Sequence, residues 1–478
     1  MRELKLFCAL IVSTFVLVSC KNDSKVEDKA AYFGGEVVNP KNNFVILSKS
    51  ETVLDTIRLD ENNRFLYKVK NVEKGLYTFR LWASEGLEYQ MVLLEPNDSL
   101  LFRLNTLEFD ESLVYTGNGA KKNNYLINLF LDGEAEDKTI LGFSQFPPVE
   151  FERRLDSIRN HKLNRLKQFN AKYPSSETFM ELVKGNINYD YYLSKEVYPF
   201  VNYSNSERKN FNALPDDFYD YRKDINYNYC ELMDYFPYYS FLKHHFENIA
   251  LSEHFKNSDD SLFNVKSLNY NLIKLNLIDS LMVNDSIRNS LLVQTAVEFI
   301  SNSKNTDDYD AVLQSYSSKN TNKSNNLYVT NMVNSLKGLK AGERLPEITI
   351  RNYNGNEFSL EKIIKKPTVL FFWSSAYRSH NDSHRKAMEL KVKYPEVDFI
   401  AINAGASNQV NWKKLLSQYN YSKNDEFIFK EPEIAKHKLA ISPINKVMII
   451  DKNGKIINAH TNMFSVKFEE ELLGLLNQ

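Results

Sequence analysis

Between Pro367 and His380 the chain reads Pro-Thr-Val-Leu-Phe-Phe-Trp-Ser-Ser-Ala-Tyr-Arg-Ser-His. The unbroken apolar run Val369–Trp373, bounded by a proline and a polar cluster, predicts a parallel strand buried on both faces. Helical patterning follows from Ser379 to Lys393, so the intervening loop is delivered to a helix N-terminus. Such a strand needs hydrogen-bonded neighbours and covering helices, which confines this part of the chain to an α/β layered domain.

The surrounding sequence supplies those neighbours. Ile348–Tyr353 and Glu357–Leu360 form a hairpin through Asn354-Gly355, a dipeptide that takes the backbone signs of a tight hairpin turn. Strands are predicted at Val397–Asn403, Glu426–Phe429, Val447–Asp451 and Ile456–His460. Helices are predicted at Asn408–Gln418, Pro432–Leu439 and Val466–Leu475, and Asp451–Lys455 turns the chain between the last two strands.

Phe371-Phe372-Trp373-Ser374-Ser375 resembles the opening of the thioredoxin active-site motif as it stands in TlpA-like thiol-disulfide oxidoreductases of bacterial envelopes. Ile441-Ser442-Pro443, just ahead of the Val447 strand, resembles the cis-proline turn that faces that motif in the family. The resemblance covers about residues 340–478 and implies a C-terminal α/β thioredoxin-like fold. It puts the family's two redox cysteines at Tyr377 and His380, and neither is a thiol. Thiol–disulfide exchange needs one thiolate to attack and a second thiol to resolve the mixed disulfide. A phenol and an imidazole do neither, so no catalytic residue and no cofactor are expected. In the family the proline turn presents backbone to an extended peptide. The resemblance therefore implies a recognition face built from Trp373, Tyr377, Arg378, His380, Ser442 and Pro443.

The chain opens with Arg2 and Lys5, an apolar core Leu6–Val18 too short for an ordinary membrane span, and Leu17-Val18-Ser19-Cys20. Those four residues resemble a bacterial lipobox. A signal peptide of residues 1–19, a lipidated Cys20 and a tether of residues 20–30 are expected, giving a protein anchored in the bacterial envelope, facing the periplasm or the outer surface. Of the three cysteines, Cys8 leaves with the signal and Cys20 is acylated. Only Cys230 remains, so the mature chain forms no internal disulfide. A buried structural role is expected for it.

Residues 31–119 read as short strands separated by turn signals, which predicts an antiparallel β-sandwich. The arrangement looks like the small β-sandwich domain of unassigned function that precedes TlpA-like domains. Residues 120–339 read as an α-helical middle region, with Asp307–Asn326 as a solvated loop before a last helix at Leu327–Leu339. Twelve of the 28 tyrosines fall between Tyr189 and Tyr239. Two readings stand for them, half-buried helical layers or a carbohydrate or peptide groove.

Basic and acidic residues nearly cancel, 60 against 61, which gives no field for nucleic acid. There is no GxSxG elbow. His380 and His384 share a helical face at a spacing that suits a metal, with His437 and His460 as distant additions, but no HExxH motif is present. Arg378 at the helix N-terminus favours an anion, whereas Ser379 as a simple N-cap is the structural alternative. The expected function is binding or scaffolding of an extended polypeptide or another envelope protein. The alternatives are envelope oxidoreductase chemistry without CxxC, and a metal or anion module at His380, His384 and Arg378.

Overall fold

A computed structural model describes residues 29–50, 52–83, 86–201, 208–229, 236–303, 305–377, 379–405, 409–441, 446–465 and 467–476. The expected signal peptide of residues 1–19, Cys20, Cys230, Arg378, Ser442 and Pro443 lie outside them. The chain divides into two compact units, one of residues up to Leu81 with Tyr89–Leu131, the other of Trp82–Glu88 with Asp132–Gln478.

The N-terminal strands are β1 (Ala31–Val38), β2 (Phe44–Lys49), β3 (Thr52–Arg58), β4 (Arg64–Val69), β5 (Gly75–Ala83), β6 (Gly86–Leu94), β7 (Ser99–Asn105) and β8 (Val114–Asn118). They form two four-stranded sheets, ordered β4-β1-β7-β8 and β3-β2-β5-β6. Alternation along β7 sends Leu100, Phe102 and Leu104 inward and leaves Leu101 and Arg103 out. Phe33 and Phe102 from the first sheet meet Phe79 from the second, Phe79 and Phe102 stacking at 5.1 Å, and Phe65 packs against Phe33 and Phe102. The sandwich departs from the antiparallel expectation at its centre, where β1 runs parallel to β7. Its eighth strand, β8, carries a glycine among turn-type residues. Gly117 there takes φ +95°, and a Cβ would stand 2.1 Å from the Ser99 carbonyl oxygen, so glycine is what lets β8 close onto β7.

The middle region comprises α1 (Ala120–Phe143), α2 (Pro148–Lys172), α3 (Glu177–Val201), α4 (Arg208–Asn212), a 3₁₀ turn at Asp220–Asp224, α5 (Phe236–Lys256), α6 (Leu268–Leu281), α7 (Asp285–Asn302), α8 (Asp308–Ser317) and α9 (Lys323–Lys337). The expected loop at Asp307–Asn326 is corrected by α8. Tyr309, Val312 and Tyr316 recur at helical spacing and are all buried, a narrow apolar stripe within a polar segment. The tyrosine-rich stretch packs as interior layer: Tyr189 meets Tyr238 at 4.8 Å and Phe241 at 5.1 Å, and Tyr192 stacks on Tyr221.

The C-terminal domain holds β9 (Thr349–Arg351), β10 (Glu357–Ser359), α10 (Leu360–Ile363), β11 (Thr368–Trp373), α11 (Ser379–Lys393), β12 (Asp398–Asn403), α12 (Gln409–Tyr419), β13 (Glu426–Phe429), α13 (Pro432–Lys438), β14 (Val447–Ile450), β15 (Ile456–Thr461) and α14 (Phe468–Leu476). The sheet order is β10-β9-β13-β12-β11-β14-β15. Every residue of β11 is buried between parallel β12 and antiparallel β14. Val369, Phe371 and Trp373 join one core with Ala387 and Leu390 of α11 and Trp412 of α12. The whole is multidomain: sandwich, helical middle region and a C-terminal α/β domain, in the order expected.

Candidate functional site

The end of β11 places Trp373 and the loop Ser374–Tyr377 beneath and beside the first turn of α11. Trp373 is only 1% exposed because its place in the strand alternation turns it into the core. Its indole Nε1 donates to Glu426 Oε2 at 3.0 Å. Glu426 opens β13 opposite Ala401 and is also buried.

His384 joins the same carboxylate, Nε2 lying 2.7 Å from Glu426 Oε1. Its Nδ1 lies 2.6 Å from the His380 carbonyl oxygen. A carbonyl can only accept, so Nδ1 carries a hydrogen, and one proton lies between Nε2 and Oε1. The His384 ring stacks on Tyr421, centroids 3.5 Å apart and planes within 6°. The Tyr421 hydroxyl donates to Asn381 Oδ1 at 2.7 Å and accepts from His380 Nδ1 at 2.5 Å. Tyr419 packs edge-on against the His380 ring.

Burial pushes the Glu426 carboxyl above the ordinary carboxylate range, with His384 opposing. Burial and then the neighbouring His384 push His380 below its ordinary value, so its imidazole is neutral at neutral pH. Burial, with Glu426 adding, raises the Tyr421 phenol and keeps it protonated. The cluster can therefore hold and relay protons, but residues 340–478 contain no thiol.

Two members of the expected recognition face need correction. Trp373 and His380 (4% exposed) are interior groups and present no surface to a partner. Tyr377, 56% exposed, does stand out from the loop. Ser379 is the first residue of α11. The His380–His384 pair shares a face as its spacing requires, yet both ring nitrogens of His384 are engaged, which leaves no lone pair there for a metal. Among the described residues no group of three or more His, Cys, Asp or Glu could hold a metal ion.

Sequence reasoning missed Glu426, Tyr421 and Asn381. One signal for Glu426 was available: an ionisable residue opening the otherwise apolar strand Glu-Phe-Ile-Phe.

Gly405, after β12, lies against the Ser374 side chain. A Cβ there would stand 2.2 Å from Ser374 Oγ and 2.8 Å from Ser374 Cβ. Gly405→Ala is expected to lower stability by about 1–3 kcal/mol in urea unfolding, the range for overpacking a tight site. Adding Ser374→Gly should return most of that loss, because the two substitutions act on one contact.

Comparisons with known proteins concern this domain. Residues 365–456 match the family described as thioredoxin-like. No curated protein matches the chain. Among solved structures, a thioredoxin-like protein from Bacteroides caccae is similar at 14% identity, with 43% of this chain and 78% of that one covered and a TM-score of 0.32. A thiol:disulfide interchange protein from Bacteroides sp. is similar at 17% identity, covering 25% and 80%, with a TM-score of 0.23. The thioredoxin domain of a thiol-disulfide oxidoreductase from Bacteroides vulgatus is similar at 16% identity, covering 25% and 86%, also with a TM-score of 0.23. The family match spans the buried strand β11, the loop Ser374–Tyr377, α11 and the strands β12 to β14, and the C-terminal domain of this chain is thioredoxin-like.

Proposed function

We propose that this chain is a lipid-anchored protein of the bacterial envelope whose thioredoxin-like domain performs no thiol–disulfide exchange and instead binds or scaffolds an extended polypeptide or another envelope protein. One observation carries the reading. At the two positions where the family has its redox cysteines stand an exposed phenol, Tyr377, and a buried imidazole, His380, which is tied to Tyr421. The electron-transfer pair is replaced by a group suited to contact and a group suited to holding the loop.

Tyrosine brings a broad apolar ring and a polar tip to an interface at little cost in side-chain entropy. The buried network below fixes the helix turn from which the loop hangs, so Tyr377 is offered from a supported base. The lipobox-like Leu17–Cys20 supports the envelope placement. Among the described residues no helix is long and apolar enough to cross a membrane.

Two measurements test the proposal. Insulin reduction in dithiothreitol should run at the buffer rate with the full chain added. In-cell crosslinking should capture an envelope partner with wild type and lose it with Tyr377→Ala, once both are shown to fold. Insulin reduction above buffer, or a capture profile indifferent to Tyr377, overturns the reading.

A further inference from the structure

A second site lies away from the Trp373 loop. A cavity of about 1080 Å³ opens where α5, α7 and the segment after α9 face β15 and the approach to α14. Five lysines line it: Lys243, Lys266, Lys340, Lys446 and Lys467. Among the described residues none of the five takes part in an ion pair. Lys446 is buried and Lys266, Lys340 and Lys467 are exposed at the rim, so the lining carries more positive than negative charge, which favours an anion.

Lys446 is the informative member. It is 2% exposed, and its Nζ donates to the backbone carbonyls of Leu439 and Ala440 at 2.5 and 3.3 Å. Carbonyls orient the amine without neutralising it. His460 lines the same wall, and so do two carboxylates, Glu298 and Glu471. Glu471 already accepts from Asn458 Nδ2 and Thr461 Oγ1. The Ser301 hydroxyl oxygen, on the α7 side, is buried and has no hydrogen-bond partner among the described residues.

We infer that this cavity is a binding site for a small organic or inorganic anion bearing carboxylate or phosphate groups, with Lys446 as the buried counter-charge and Ser301 as a hydroxyl donor. The inference does not depend on the reading of the Trp373 loop. A volume of this order is typical of small-ligand sites, which orient their ligands through a few convergent polar groups.

A pH signature follows. Burial pulls the Lys446 amine down to about 7, and burial with Lys446 beside it pulls His460 down to about 4. An anion stabilises the ammonium form, so binding takes up a proton wherever free Lys446 is neutral. Affinity then falls about tenfold per pH unit above the Lys446 value and is flat below it.

Isothermal titration of the full chain with citrate and, separately, inorganic phosphate tests this. Saturable binding is expected at about pH 6, at least about tenfold weaker at pH 8.5, with proton uptake visible as a buffer-dependent heat. Citrate alone saturating assigns a carboxylate ligand, phosphate alone a phosphate ligand. Lys446→Met should abolish binding. Because that substitution also orphans two carbonyls, the rim pair Lys340→Ala with Lys467→Ala serves as the second variant and should weaken binding several-fold in a folded protein. No saturation by either anion at pH 6, or binding unchanged by the rim pair, overturns the inference.

Discussion

Trp373→Ala is expected to lower the stability of the second unit by about 3–5 kcal/mol, the range for removing a large aromatic from a close-packed core. The indole is among the largest fully buried side chains. It touches His380, His384 and Tyr421 at centroid distances of 5.1 to 5.5 Å. Its loss opens a cavity under the loop and removes one of the two side-chain partners of Glu426. Trp373→Phe separates these effects, since it keeps much of the ring but deletes the N–H, and should cost about 1–3 kcal/mol for the orphaned carboxylate oxygen.

The Trp373→Phe loss should depend on pH in a stated direction. The Glu426 carboxyl is raised by burial, so between the ordinary carboxylate range and its folded value the native state holds a proton that the unfolded chain has released. Stability falls as pH rises through that window. Removing the indole donor raises the carboxyl further and deepens the fall. Urea unfolding should therefore find Trp373→Phe closer to wild type at pH 5 than at pH 8, and the reverse order would show that the indole does not act through Glu426.

The parts of this molecule that were legible before its structure share one property: their cause is local. Val369–Trp373 announces a buried strand by its own composition, and Ser379–Lys393 announces a helix by its own spacing. What escaped depends on partners distant in sequence. Glu426 meets an indole 53 residues earlier in the chain. His380 and His384 were placed on one face correctly, but their neighbours Tyr419 and Tyr421 arrive from the end of α12, and those rings turn a candidate ligand pair into a packed, hydrogen-bonded cluster. The parallel β1–β7 pair has no sequence mark, because pairing direction is decided by how the chain returns. Strand β8 carries Gly117, a residue type that marks turns in a sequence but here serves a close approach to Ser99.

Arg222→Met should be the other strongly destabilising change, by about 3–5 kcal/mol, because it strips a buried carboxylate of its permanent counter-ion. Glu196 on α3 is fully buried. It accepts from Arg222 through both Nε and a terminal nitrogen, from the Tyr221 hydroxyl at 2.8 Å, and lies 2.7 Å from His245 Nδ1. Arg222 also covers the Tyr219 ring at 3.5 Å, so the guanidinium is a packing element as well as a charge. Burial alone would raise the Glu196 carboxyl, but Arg222 and His245 outweigh it and hold it below its ordinary value. A lowered folded value means that the pair's stabilisation is present above the unfolded carboxylate range and is lost as pH falls through the folded one. Without Arg222 the carboxyl rises and takes a proton sooner, so the deficit against wild type should narrow as pH drops from 7 toward 4. Converting the carboxylate as well, in Glu196→Gln with Arg222→Met, removes the stranded charge and should recover part of the loss at pH 7. A double variant no more stable than Arg222→Met alone would mean that Arg222 acts mainly by covering Tyr219, and that the tyrosine-rich layer is held by contact more than by charge.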